Sequence, residues 1–154
     1  MMKYQKLHAW NVGYKKAVEI QERLKKSIIL KGSAKDCRLI AGADVSYIKG
    51  SEIFYASVVV FNLQTMERVE EVTASGKVDF PYIPGLLSFR ESPILLKAFA
   101  KIKSEPDVII LDAQGIAHPR GIGLASHIGL LLDKSAIGCA KTRLIGEYNE
   151  VGGE

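Results

Sequence analysis

The chain has 154 residues, 47% hydrophobic and 25% charged, the make-up of one folded domain with its own core, which excludes a disordered or collagen-like chain. Its longest stretch without a formal charge, Ile53 to Met66, is short and broken by Ser57, Asn62, Gln64 and Thr65, so no membrane span is read. The net charge of +4 is uneven: residues 1–38 carry ten Lys/Arg against three Asp/Glu, and residues 39–154 eleven against fourteen, so the basic end suits a polyanion or, equally, a solvated helix face.

From Tyr14 onward Ala17, Ile20, Leu24 and Ile28 recur at helical spacing among lysines and glutamates, which predicts an amphipathic helix ending near Gly32. Leu39 to Tyr47 reads as a strand closed by the turn residues Lys49-Gly50-Ser51. Ile53 to Leu63 has the Val/Phe/Tyr content of a central strand, and Arg68 to Ala74 alternates, giving an antiparallel meander. Phe80 to Gly85 holds two prolines and a glycine and reads as a loop. A helix is predicted over Pro93 to Ile102, a strand covered on both faces over Val108 to Leu111, a mostly buried helix over Leu124 to Leu132, and a last short strand over Ala136 to Ala140. The order α-βββ-α-β-α-β implies an α/β fold: a mixed sheet, three antiparallel strands then parallel ones, with helices on its faces. No repeat or linker divides the chain, so residues 1–154 are expected to form a single domain.

Asp44 interrupts an apolar strand, where a carboxylate costs several kcal/mol to desolvate unless it is met by donors or a cation. Asp112 follows the other strongly apolar strand, at the end where α/β sheets place ligand sites. If those strands are neighbours, two carboxylates converge, and a hard divalent cation such as Mg²⁺ would relieve their repulsion. Taken alone, each reads first as a capping or turn aspartate, a role common at a strand end like Asp112's and uncommon in mid-strand like Asp44's; taken as a pair, they read first as metal ligands. His118, in a Gly-rich loop, is expected to be exposed and suited to a phosphate or a water near the metal; His127, on a helix, reads as structural. Lys141 and Arg143 could meet phosphate at the same sheet edge. In Pro81-Tyr82-Ile83-Pro84-Gly85 the prolines stiffen a loop that presents an aromatic and an aliphatic side chain, a form suited to wedging into a base step or to packing as a turn. Glu91 is a candidate third carboxylate or a helix-start glutamate. Cys37 and Cys139 lack the spacing of a zinc or redox pair, and no secretory leader precedes Trp10, so a reduced, cytoplasmic setting is expected.

Taken together, Gly42-Ala43-Asp44-Val45-Ser46, Phe80 through Glu91, Asp112 through Arg120 and Ile137 through Leu144 resemble the endonuclease V family, deoxyinosine-directed nucleases with an RNase H-like fold. The resemblance covers nearly the whole chain. It implies that Asp44 and Asp112 hold Mg²⁺, with Mn²⁺ as substitute, and that Glu91 and Lys141 act catalytically at the same centre. It implies that Pro81, Tyr82, Ile83, Pro84, Gly85, Gln114, Gly115 and His118 contact the substrate, DNA containing deoxyinosine or inosine-containing RNA. The implied reaction is hydrolysis of the second phosphodiester bond 3′ to the lesion; the alternatives are an inosine-RNA ribonuclease and a non-catalytic nucleic-acid-binding remnant. The pattern departs from the family at Ala113, where glycine is usual, and the resemblance implies a further C-terminal portion beyond Glu154.

Overall fold

A computed structural model describes residues 1–33 and 35–148. The elements are α1 (Tyr14–Lys25), β1 (Leu39–Tyr47), β2 (Ile53–Asn62), β3 (Arg68–Lys77), α2 (Leu87–Phe99), β4 (Val108–Leu111), α3 (Leu124–Leu132) and β5 (Ser135–Gly138). They form one five-stranded sheet in the order β3-β2-β1-β4-β5, antiparallel across β3-β2-β1 and parallel across β1-β4-β5.

Strand alternation divides the sheet into two unlike faces. Ala41 and Ala43 of β1, Phe54, Ala56, Val58 and Val60 of β2, and Ile109 and Leu111 of β4 are buried against Ile94, Leu95, Ala98 and Phe99 of α2 and Ala125, Ile128 and Leu131 of α3. The alanines of β1 let α2 approach the sheet closely. The opposite face, with Gly42, Asp44 and Ser46 exposed on β1 and Ile137 exposed on β5, carries no helix among the described residues. The helices that touch the sheet lie on one face; the apolar run of β4 suggested a strand covered on both faces, but Ile110 is only half-buried. α1 lies outside the sheet layer, its stripe of Ala17, Ile20 and Leu24 packed with Leu86, Phe89 and Ile122 in a second cluster.

α1 stops at Lys25 rather than near Gly32, and the next bonds, Ser27 N–H to Leu24 O and Ile28 N–H to Lys25 O, tighten its last turn. α2 begins at Leu87, before the predicted Pro93, and carries that proline inside it. Burial of Leu86, Ser88 and Phe89 draws the early turn into the helix, and Pro93 has no N–H to offer Phe89 O. The N-terminal segment is strapped across the helices by Met2 N–H to Ile102 O and Gln5 N–H to Leu131 O. There His8 and His127 bring their Nε2 atoms to 2.7 Å beside Trp10 and Phe89.

Candidate active site

The parallel pairing of β1 with β4 ends at Ala43↔Leu111, so the next residues of the two strands, Asp44 and Asp112, stand side by side. Alternation turns both away from the helix layer. Asp44 is exposed, not desolvated as the mid-strand position suggested: the buried residues of β1 are its odd-numbered neighbours, and Asp44 Oδ1 accepts from Val45 N–H at 2.8 Å. Asp112, partly buried, receives the Lys141 ammonium on Oδ2 at 2.6 Å, a pairing that raises the lysine's pKa. Glu91 reaches the same place from α2. Burial, then the adjoining Asp44, push its carboxyl up to about 7; Asp112 adds to this and Arg90 opposes it.

Among the described residues no three Asp, Glu, His or Cys side chains come together closely enough to hold a metal by themselves. A hard divalent cation needs less, because one or two carboxylates suffice when waters and phosphate oxygens complete its shell. The all-oxygen Asp44/Asp112 pair fits such an ion, and the share of Glu91's upward push that comes from these two carboxylates, smaller than that of burial, is what a cation would relieve.

Beside the acidic cluster the Pro81–Gly85 loop presents Tyr82 at 67% exposure, with Pro81 and Pro84 also exposed. The loop walls a cleft of about 170 Å³ with Ser88 and Leu87 of α2, Gln114, His118, Gly123 and Leu144. Gln114 donates to Thr142 O at 2.8 Å, tying the loop after β4 to the segment after β5, and Gly115 faces the Gly138 backbone there. A Cβ at Gly123 would collide with the backbone of Gln114 and Gly115, so the start of α3 depends on glycine for its approach. Ala113, where the resemblance leads one to expect glycine, is buried in the main core and is not among the residues of positive φ, so its backbone does not require glycine.

His118 differs from the exposed loop histidine that was expected. It is 5% exposed, Nε2 donates to Gly85 O at 3.1 Å and Nδ1 accepts from Arg120 N–H at 3.1 Å, which fixes the neutral tautomer. Burial and then Arg120 lower its pKa. With both nitrogens engaged, it offers the cleft a ring edge rather than a proton. The loop after β4 turned inward because Ile122 and Gly123 are drawn into the packing behind it.

Two polar residues of this region escaped the sequence reading. Gln21 is fully buried on α1 and donates through Nε2 to Gly85 O at 3.0 Å, while Arg120 donates to Gln21 Oε1 at 2.6 Å and to Gly85 O at 2.6 Å. The available signal was an amide in the apolar stripe of α1, next to Ile20 and within a turn of Ala17 and Leu24.

The sheet order, its carboxylate pair and its single helix layer define an RNase H-like α/β domain, the fold of the solved structures it resembles. The family model for Endonuclease V matches residues 22–154, and the chain belongs to the endonuclease V family. It is 46% identical to Endonuclease V of Dehalococcoides mccartyi over 99% of this chain and 69% of that protein, and 49% identical to that of Dictyoglomus turgidum over 90% and 60%. It thus spans about two thirds of the length of these relatives. The Endonuclease V structure from Streptomyces avermitilis superposes with a TM-score of 0.87 at 37% identity, covering 94% of this chain and 64% of that one. That of Ciona intestinalis, in complex with a 23mer DNA containing an inosine followed by a ribo-adenosine, gives 0.74 at 34% identity over 83% and 57%.

Proposed function

We propose that this chain carries a Mg²⁺-dependent endonuclease centre that cuts DNA beside deoxyinosine, at the second phosphodiester bond on its 3′ side, in the repair of deaminated adenine. The observation that carries the reading is the register that sets Asp44 and Asp112 side by side next to Glu91. Asp44 and Asp112 would hold the cation, which supplies a Lewis acid for the phosphate and a lowered pKa for attacking water. Glu91, its carboxyl pushed up to about 7 by burial and then by Asp44 while no cation is bound, would take or give a proton at this centre. Lys141, its side chain 83% exposed, reaches the same carboxylate end of the sheet and can donate to a phosphate oxygen. Tyr82 would enter the base step, and the adjoining cleft would receive the displaced hypoxanthine between loop and α2. Gln114 and His118 line the far side of that cleft, and Gly115, next to Gln114, would contact the substrate from the same loop.

The relative bound to inosine-containing DNA supports this substrate class, and the ribo-adenosine in its ligand supports a second reading, inosine in RNA. Matched oligonucleotides, with and without inosine and as DNA or RNA, separate the readings when incubated with the purified chain in Mg²⁺ or EDTA. The proposal expects metal-dependent nicks in inosine DNA with 3′-hydroxyl and 5′-phosphate ends. Cutting confined to inosine RNA supports the second reading, and metal-independent binding without cutting contradicts both.

A further inference from the structure

The Pro81–Gly85 loop is anchored through carbonyls at both feet. At one, Arg90 donates to Phe80 O at 2.9 Å, its guanidinium lying over the Phe54 ring. At the other, Gly85 sits at φ +79° and its carbonyl accepts from Gln21, Arg120 and His118. These donors come from α1 and from the loop after β4, far apart in sequence, and converge on one oxygen. Gln21 is the keystone: its Nε2 serves the Gly85 and Ile122 carbonyls, while its Oε1 accepts from Arg120 Nε. The amide orientation follows, because the guanidinium can only donate and the carbonyls can only accept.

Arg120 forms no ion pair with an Asp or Glu among the described residues; its side-chain donors are directed to the loop and to Gln21. A cation directed at a loop carbonyl makes a stronger bond than a neutral donor would. Gly85 also has to be glycine here, since a Cβ would lie 2.7 Å from Arg120 Nη2 as well as straining the positive φ. Between the two feet Tyr82 makes little contact and stays exposed.

We infer that Gln21 and Arg120 are positioning residues that clamp the Gly85 carbonyl and so hold the Tyr82–Ile83 tip ready to enter a base step. The inference rests on the reading of this loop as the recognition wedge. A wedge that yields on contact with stacked bases loses binding before any bond is cut, so the clamp acts on substrate engagement, not on the acidic centre.

The test compares wild type with Gln21→Met, which keeps side-chain volume, and with Arg120→Met, which removes the guanidinium from the carbonyl at a half-exposed site should the first variant fold poorly. Hydrogen exchange is followed at the loop amides, including Leu86 N–H, which bonds Ile83 O at 2.9 Å. Loop exchange is expected to quicken about tenfold in either variant while β1 and β2 amides hold their rates, as loss of a hydrogen bond or two at one foot would give. With a deoxyinosine oligonucleotide and Mg²⁺, KM is expected to rise about tenfold and kcat to change less than about twofold. Unchanged loop exchange, equal quickening throughout the sheet, or a fall in kcat at constant KM each overturns the clamp. A wild type that fails to cut inosine DNA would sink the proposed function, and the exchange comparison would still decide the clamp.

Discussion

At the scale of single residues the molecule distinguishes side chains that face solvent or substrate from those that maintain the frame. Tyr82 is exposed at the tip of a loop whose shape is fixed from its feet. Tyr82→Ala is therefore expected to move the thermal midpoint by less than about 2 °C, as surface changes do, while lowering the ratio of cutting at inosine over adenine. Loss of stability with unchanged discrimination would make the tyrosine part of the packing. Ala113 bears on a neighbouring question. Its methyl group is buried in the main cluster on an ordinary backbone, so Ala113→Gly should cost about 1 kcal/mol in denaturant titration. A stabilising effect would show that the position prefers glycine for a reason absent from this packing. Residue identity was partly legible in the sequence: Asp44 stood out as a charge inside an apolar strand and Asp112 as one at the end of another. Their environments were not. Asp44 looked buried because its neighbours are apolar, and the face it occupies depends on which side of the sheet the helices cover, a long-range fact. His118 looked exposed because its loop is rich in glycine, and those glycines instead let backbone segments approach and close over it.

At the scale of elements, the sequence pattern located the three helices and five strands of the described residues in chain order, and β1, β4 and α3 also matched in extent. The misjudged boundaries have local causes. A proline at position 93 reads as a helix start, yet the apolar residues before it belong to a second cluster with α1, and their burial outweighs one missing helical bond. Pro93→Ala should accordingly raise stability by about 1–3 kcal/mol, since it restores an N–H to Phe89 O and removes the ring's clash with that carbonyl. A loss of stability in the same titration would mean that the ring's rigidity in the unfolded chain dominates. The register of β1 with β4 is the element-scale fact on which the acidic site depends: a slip of one residue would turn Asp112 to the helix-covered face, opposite Asp44.

At the scale of the whole molecule, the N-terminal strap and the helix layer are joined at an imidazole pair, His127 buried and His8 half-buried. Burial, and then the positive charge His8 can carry, lower His127 to about 3, while burial lowers His8 as well, with Arg23 acting in the same direction. A histidine whose folded pKa lies below its unfolded value adds stability that is complete above the unfolded pKa and is lost as pH falls toward the folded one. Stability should therefore drop between about pH 6.5 and about pH 3 with a slope approaching 1.4 kcal/mol per pH unit from His127. His127→Leu should flatten that portion of the curve, and an unchanged slope would move the acid sensitivity elsewhere. The strap itself was invisible to pattern reading, because Met2, Leu7 and Trp10 lie on no periodic element and find their partners only after the helices have packed.

Two carboxylates from distant parts of the chain, Asp44 and Asp112, are proposed to act together through a divalent ion. The most direct test is cutting of a deoxyinosine oligonucleotide across a Mg²⁺ titration, paired with Mn²⁺ binding by electron paramagnetic resonance, for wild type, Asp44→Asn and Asp112→Asn. The wild type should bind Mn²⁺ and cut in proportion to site occupancy by Mg²⁺, and each variant should lose cutting by about 10³-fold or more and bind the ion more weakly. Full activity or undiminished ion binding in either variant would contradict the account.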